Sequence, residues 1–280
     1  MRVVKTVKTM QRVAEQLRSE GRVGFVPTMG ALHQGHLKLM EVARERCDRL
    51  VVSIFVNPIQ FGPKEDYRFY PRDLQRDLRL VKQVGADVVF YPDVKEMYPK
   101  GYATYVEVEG LTRYLCGRSR PGHFRGVTTV VAKLFNIVKP HLAVFGQKDA
   151  QQAFVIKRMV KDLNYDIEVL VVPTVREKDG LAMSSRNVYL NSKEREEAPV
   201  LYRALKLAEG LIRNGERDAK RVKGAMRSLI REESEGRIDY IEIVDTNRLE
   251  PVKKLKGEVL IALAVYFGKA RLIDNIIVKV

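Results

Sequence analysis

Five short apolar runs separated by helical patterns fill the first two-thirds of this chain, and that alternation restricts its fold more than any other feature. Arg22–Val26, Leu50–Val56, Asp87–Tyr91, Leu142–Phe145 and Ile167–Val172 have the β-branched, aromatic texture of strands. Between them, His36–Arg46, Leu74–Val84, Val127–Val138 and Gln151–Lys161 read as helices. Asp73 is placed to cap the second of these, and Gly85 stands where it stops. Strands alternating with helices form a parallel sheet covered on both faces, with ligands beyond the strands' C-terminal ends. After about residue 176 the texture changes. Helical Ser192–Leu211 and Arg217–Glu233 precede strand-like Asp239–Val244, Glu258–Phe267 and Asn275–Val280, the order of a small α+β domain. The expected class is therefore α/β, with a linker near residues 173–190.

At 280 residues the chain can bury a full core, and 45% hydrophobic with 30% charged residues is ordinary for a soluble protein. The longest apolar run, Val259–Phe267, is far shorter than the roughly 20 residues a bilayer span needs. No membrane association and no export signal are expected. Cys47 and Cys116 lack any C-x-x-C spacing, which disfavours a disulfide framework or zinc ribbon and points to a reducing cytoplasm. The net charge of +15 raises the question of nucleic acid. Its Lys and Arg are dispersed and mixed with acids, as in Glu194-Arg195-Glu196-Glu197, and no reading module accompanies them. Nucleic acid is not the expected partner; attraction of a small anion such as ATP, or a heat-adapted surface, accounts for the charge.

The densest chemical signal is Pro27-Thr28-Met29-Gly30-Ala31-Leu32-His33-Gln34-Gly35-His36, directly after the first strand and leading into a helix. Its glycines allow close backbone approach, and a helix start offers unpaired N–H groups to phosphate. His33 and His36 are three apart and can face one ligand. A plain turn with surface histidines is the bland alternative. A zinc pair lacks a third ligand at a convincing spacing. Further along, Gly146-Gln147-Lys148-Asp149 follows a strand, and Lys148 suits a phosphate as a mobile point charge. Asp149 reads equally as a helix cap or a ribose acceptor. Met183-Ser184-Ser185-Arg186 offers two hydroxyls and a guanidinium to a polyphosphate, or is a solvated turn. Gln60 and Gln152 are neutral polar groups near strand ends, of the kind that orient a small hydroxy acid. Asn57, before Pro58, also reads as a turn residue, and Val130 and Val131 as core. His123, in the basic stretch Arg118–Arg125, carries no catalytic role, and His141 is structural.

His33-x-Gly35-His36 after a first strand resembles the HIGH box of the adenylyl-transferring superfamily, with Met183–Arg186 as counterpart of its second box. The longer wording PTMGALHQGH, FVNPIQF (55–61), GHFRGV (122–127), FGQKDAQQ (145–152) and DGLAMSSRN (179–187) resembles the pantothenate synthetase, or pantoate–beta-alanine ligase, family. The resemblance implies a Rossmann-like ATP- and pantoate-binding domain over residues 1–176. It assigns residues 177–280 to a smaller α+β domain with the phosphate-binding loop at its start. It also implies an ATP site of Met29, Gly30, Ala31, Leu32, His33, Gln34, Gly35, His36, Gly146, Gln147, Lys148, Asp149, Val175, Met183, Ser184, Ser185 and Arg186. Pantoate would meet Gln60 and Gln152, with Met29, Val130 and Val131 as an apolar wall, and Gln60 would also meet beta-alanine. A cytoplasmic homodimer is implied as well.

The chemistry so implied needs no protein nucleophile. The pantoate carboxylate attacks the α-phosphorus of ATP, and beta-alanine then displaces AMP. His33, His36 and Lys148 are the expected catalytic donors to the transferring phosphate, and His36 is also placed to protonate the leaving pyrophosphate. Magnesium is expected with ATP because it bridges phosphate oxygens. Asp77 lies in a region resembling the family's metal neighbourhood, Asp73 reads equally as a cap, and the metal's protein ligands stay open. A nucleotidylyltransferase, a class I tRNA synthetase and a basic nucleic-acid-binding module are the rival readings.

Overall fold

In the computed structural model, which describes residues 1–63 and 65–280, the alternating apolar runs become nine strands and ten helices among the described residues. In chain order they begin β1 (Arg2–Val4), α1 (Val7–Ser19), β2 (Val23–Thr28), α2 (Gln34–Arg44), β3 (Arg49–Ile54) and α3 (Leu74–Gln83). There follow β4 (Val88–Phe90), α4 (Val94–Met97), α5 (Leu115–Ser119), α6 (His123–Val138), β5 (Leu142–Gly146), α7 (Ala150–Asp162) and β6 (Glu168–Val172). The remainder is α8 (Ser192–Glu197), α9 (Val200–Arg213), α10 (Ala219–Glu233), β7 (Arg237–Asp245), β8 (Glu258–Phe267) and β9 (Ala270–Lys279). Two compact units result. The first holds Met1–Val108, Arg120–Gln147 and Gln152–Pro173; the second holds Glu109–Ser119, Lys148–Gln151 and Thr174–Val280.

The first unit is a six-stranded sheet in the order β1-β4-β3-β2-β5-β6, parallel throughout. Strands buried on both faces need continuous apolar sequence, and β3 shows this: Leu50, Val51, Val52, Ser53 and Ile54 are all buried. The sequence reading passed over β1 and α1. Helix α1 nevertheless carries Met10, Val13, Ala14 and Leu17 on its buried face, the spacing of an amphipathic helix, and Thr6 caps it by accepting from the Thr9 N–H. Asp73 caps α3, as expected, by accepting from the Arg76 N–H at 2.9 Å.

The second unit is the antiparallel sheet β7-β8-β9 with helices α8, α9 and α10. Its core joins Leu201, Leu205 and Ile212 of α9 and Val222, Met226 and Ile230 of α10 to Ile241, Ile261, Leu263 and Val265 of the sheet. The nine-residue apolar run becomes β8, the middle strand, buried from Val259 to Val265. The helical stretch read as Ser192–Leu211 is interrupted: α8 ends at Glu197, and Pro199 precedes α9, where its missing N–H is tolerated. Strand β9 starts at Ala270, earlier than expected, because the two-residue turn at Gly268 and Lys269 pairs Phe267 with Ala270.

Candidate active site

Sheet order locates the first place to look. From β2 the chain runs outward through β3 to β4, whereas β5 and β6 lie on the other side of β2, so the direction reverses between β2 and β5. Ligands of open α/β sheets sit outside the carboxyl ends of the strands at such a reversal. Gly24 pairs with Leu142, so Thr28 and Gly146, each four residues farther along, end their strands at the same level. The PTMGALHQGH segment and the Phe145-Gly146-Gln147 segment therefore leave the sheet side by side.

The turn after β2 is held by groups distant in sequence. The Thr28 hydroxyl donates to Ser53 O (2.8 Å) and accepts from the Gly30 N–H (3.2 Å). Gly30 (φ 81°) and Ala31 (φ 50°) both adopt left-handed backbone, which a side chain tolerates poorly. Asp77, 1% exposed, offsets that strain by accepting from the N–H groups of Ala31 and Leu32, both at 2.9 Å. Arg76 completes the clamp with a 2.9 Å bond to Leu32 O. Burial pushes the Asp77 carboxyl above its ordinary range, and the two N–H bonds pull the other way. Each Asp77 oxygen thus accepts one backbone N–H of the turn, and Asp73 caps α3.

His33 is the N-cap of α2. Its Nδ1 accepts from the Gly35 N–H (3.1 Å), while His36 Nδ1 accepts from the His33 N–H (3.3 Å). The two rings lie 4.1 Å apart, centroid to centroid. This reciprocal cap fixes chemistry as well as structure. A nitrogen that accepts from a backbone N–H carries no proton, so each neutral imidazole keeps its proton on Nε2 as a donor. The pair thus carries two Nε2–H groups at the start of a helix, where the backbone dipole favours an anion.

Gln60 follows β3 in a 3₁₀ turn at Pro58–Gln60 and is buried. Its Oε1 accepts from Asn57 Nδ2 (3.0 Å) and its Nε2 lies 3.2 Å from Met29 Sδ. The imidazole of His123 meets Gln60 O at 2.8 Å, and Asn57 Nδ2 also donates to Gly126 O at 3.0 Å. Gly126 has no room for a side chain. A β-carbon there would lie 2.6 Å from Gln60 Cα, so glycine is what lets α6 touch this turn. These contacts of Asn57, His123 and Gly126 join segments that no local pattern in the sequence pairs. Val130 and Val131, on the same helix, are 6% and 4% exposed, and Gln152 is half-buried on α7.

The other named residues belong to the second unit: Lys148, Asp149, Val175, Met183, Ser184, Ser185 and Arg186. Lys148 O accepts from Asn275 Nδ2 (2.9 Å), and the Lys148 ammonium sits 3.7 Å from the Asp149 carboxylate. Beside Asn275, buried Asp274 takes both guanidinium arms of Arg176, at 2.6 and 2.9 Å. Met183 N–H donates to Val175 O (3.0 Å), and the Ser184 hydroxyl caps a 3₁₀ turn at Ser185–Tyr189 by accepting from the Arg186 N–H (3.2 Å).

The family model described as pantoate-beta-alanine ligase matches residues 2–277. The chain belongs to the pantoate-beta-alanine ligase family. The pantothenate synthetase of Acetivibrio thermocellus is 58% identical over 281 residues, spanning 100% of both chains. The crystal structure of pantothenate synthetase from Thermus thermophilus superposes with a TM-score of 0.93 at 50% identity, covering 99% of each chain. That of the pantoate-beta-alanine ligase from Francisella tularensis, complexed with beta-gamma ATP and beta-alanine, gives 0.82 at 36% identity over 99% of this chain and 97% of the other. Among the described residues no group of three or more His, Cys, Asp or Glu side chains is placed to hold a metal ion.

Proposed function

We propose that this chain condenses (R)-pantoate with beta-alanine to pantothenate at the expense of ATP, which leaves as AMP and pyrophosphate. The observation that carries the reading is the reciprocal histidine cap at the end of β2. In the first half-reaction a pantoate carboxylate oxygen attacks the α-phosphorus, and the bond to pyrophosphate breaks to give pantoyl-adenylate. In the second the beta-alanine amine attacks the acyl carbon, AMP departs, and the amine loses its proton. Negative charge builds on the α-phosphate oxygens during the first step, and fixed donors aimed there lower the barrier.

His33 and His36 are the proposed donors, through Nε2. The cap favours hydrogen-bond donation over proton transfer, since a second ring proton on His36 would displace the His33 N–H from Nδ1. Lys148 is assigned to the same phosphate, and Ser184, Ser185 and Arg186 to the β- and γ-phosphates. Gln60 and Gln152 are assigned to pantoate, with Met29, Val130 and Val131 against its methyl groups and Gln60 also meeting beta-alanine. Magnesium enters with ATP as part of that substrate. The proposed working form is a cytoplasmic homodimer. Both cysteines are free thiols, and among the described residues no helix is long and apolar enough to cross a membrane.

An AMP-release assay with each substrate omitted in turn tests the reaction. Release should require pantoate and beta-alanine together, and exchange of pyrophosphate into ATP should require pantoate alone. Exchange that runs as fast without pantoate would replace this reading with nucleotidylyl transfer to another acceptor.

A further inference from the structure

Asn57 is 1% exposed, and its side chain makes three hydrogen bonds. One partner, Gly126 O, can only accept, so the atom facing it must be the amide nitrogen. That nitrogen's second proton goes to Gln60, whose facing atom is then Oε1. The remaining oxygen of Asn57 accepts from the Tyr98 hydroxyl at 2.7 Å. Tyr98 follows α4, its ring 6.2 Å from Phe55 and 5.0 Å from Tyr102, centroid to centroid. Burial pushes its phenol far above the ordinary tyrosine value, so it stays protonated, a donor, at any working pH.

We infer that Tyr98 is a positioning residue for the acid substrate: through Asn57, its hydroxyl holds the Gln60 side chain with Oε1 turned inward and Nε2 presented as a donor. The inference rests on the assignment of Gln60 to pantoate. The chemistry is complementary, because a hydroxy acid with an ionised carboxylate offers mostly acceptors. An amide free to rotate would present an oxygen to that carboxylate for part of the time, whereas a held amide presents only N–H. His123 supports the same residue from the backbone side, at Gln60 O. Gly126 supplies the acceptor that sets the polarity of the whole relay.

Tyr98→Phe removes only the oxygen and keeps the ring against Phe55 and Tyr102. It should raise the KM for pantoate roughly fivefold to tenfold, leave the KM for ATP unchanged, and lower kcat less than it raises the pantoate KM. A role confined to packing would move the unfolding midpoint and both KM values together, and that result would overturn the inference. The decisive arm is the double variant. If Tyr98 acts through Gln60, adding Tyr98→Phe to Gln60→Ala should raise the pantoate KM no further than Gln60→Ala alone. Additive effects would sink the relay while leaving Gln60 as a pantoate ligand. A Gln60→Ala enzyme with an unaltered pantoate KM would sink both the assignment of Gln60 and the inference built on it.

Discussion

The turn after β2 and the turn at Ser185–Tyr189 both open on a side-chain cap but are braced differently. The first is fixed by partners far off in sequence, Ser53 O for Thr28 and buried Asp77 for two N–H groups, and locally by the histidine cap. The second combines bonds made nearby in the chain with packing of Tyr189 on the core of its unit. Ser184 caps it, Asn187 reaches back to Ala182 O and Glu177 at 3.2 Å each, and Val188 stands 72% exposed. Donors that do not reorganise during reaction stabilise developing charge best, so in the proposed mechanism the first turn acts on rate and the second on affinity.

The difference can be broken by substitution. His36→Ala should cost about 10²–10³ in kcat with the circular dichroism spectrum retained; unchanged turnover would remove His36 from the chemistry. Asp77→Ala strands the Ala31 and Leu32 N–H groups. Urea unfolding should show a loss of about 2–3 kcal/mol, accompanied by slower turnover, and an enzyme as stable and active as the parent would show that the turn needs no clamp. Arg186→Ala should raise the KM for ATP about tenfold while kcat and the unfolding midpoint barely move. A collapse of kcat there instead would erase the contrast between the turns.

The smallest expected effect concerns pH. His141 Nδ1 accepts from the Val23 N–H at 2.9 Å, and burial, aided by the charges of Arg18 and Arg22, lowers its pKa. The native state therefore refuses a proton that the unfolded chain takes. The contribution is complete above the ordinary histidine value, about 6.5, and is lost as pH falls below it. The gap in urea midpoint between the parent and His141→Ala should narrow from about pH 7.5 to about pH 5.5. A gap independent of pH would assign His141 to packing alone.

The parallel sheet was legible because buried strands must be apolar end to end, and the histidine segment because its wording sits at a strand-to-helix junction. What stayed hidden depends on partners that the sequence cannot pair. Nothing in the sequence pairs Asp77 with the N–H groups of residues 31 and 32, which it holds from a distant helix. Tyr98 looked like any tyrosine in a loop, and only the acceptor-only carbonyl at residue 126 gives its hydroxyl a direction to act in. Helix α1 is a different case. Its buried positions Met10, Val13, Ala14 and Leu17 recur at helical spacing in the sequence itself.

Backbone touches backbone where α6 meets the 3₁₀ turn, because residue 126 is glycine. In the proposed site that seam acts like the pivot of a calliper, with Gln60 on one jaw and Val130 and Val131, a turn farther along the helix, on the other. Under that assignment, redesign for a bulkier acid begins by trimming the valines, since a methyl added at residue 126 would push the helix off the turn.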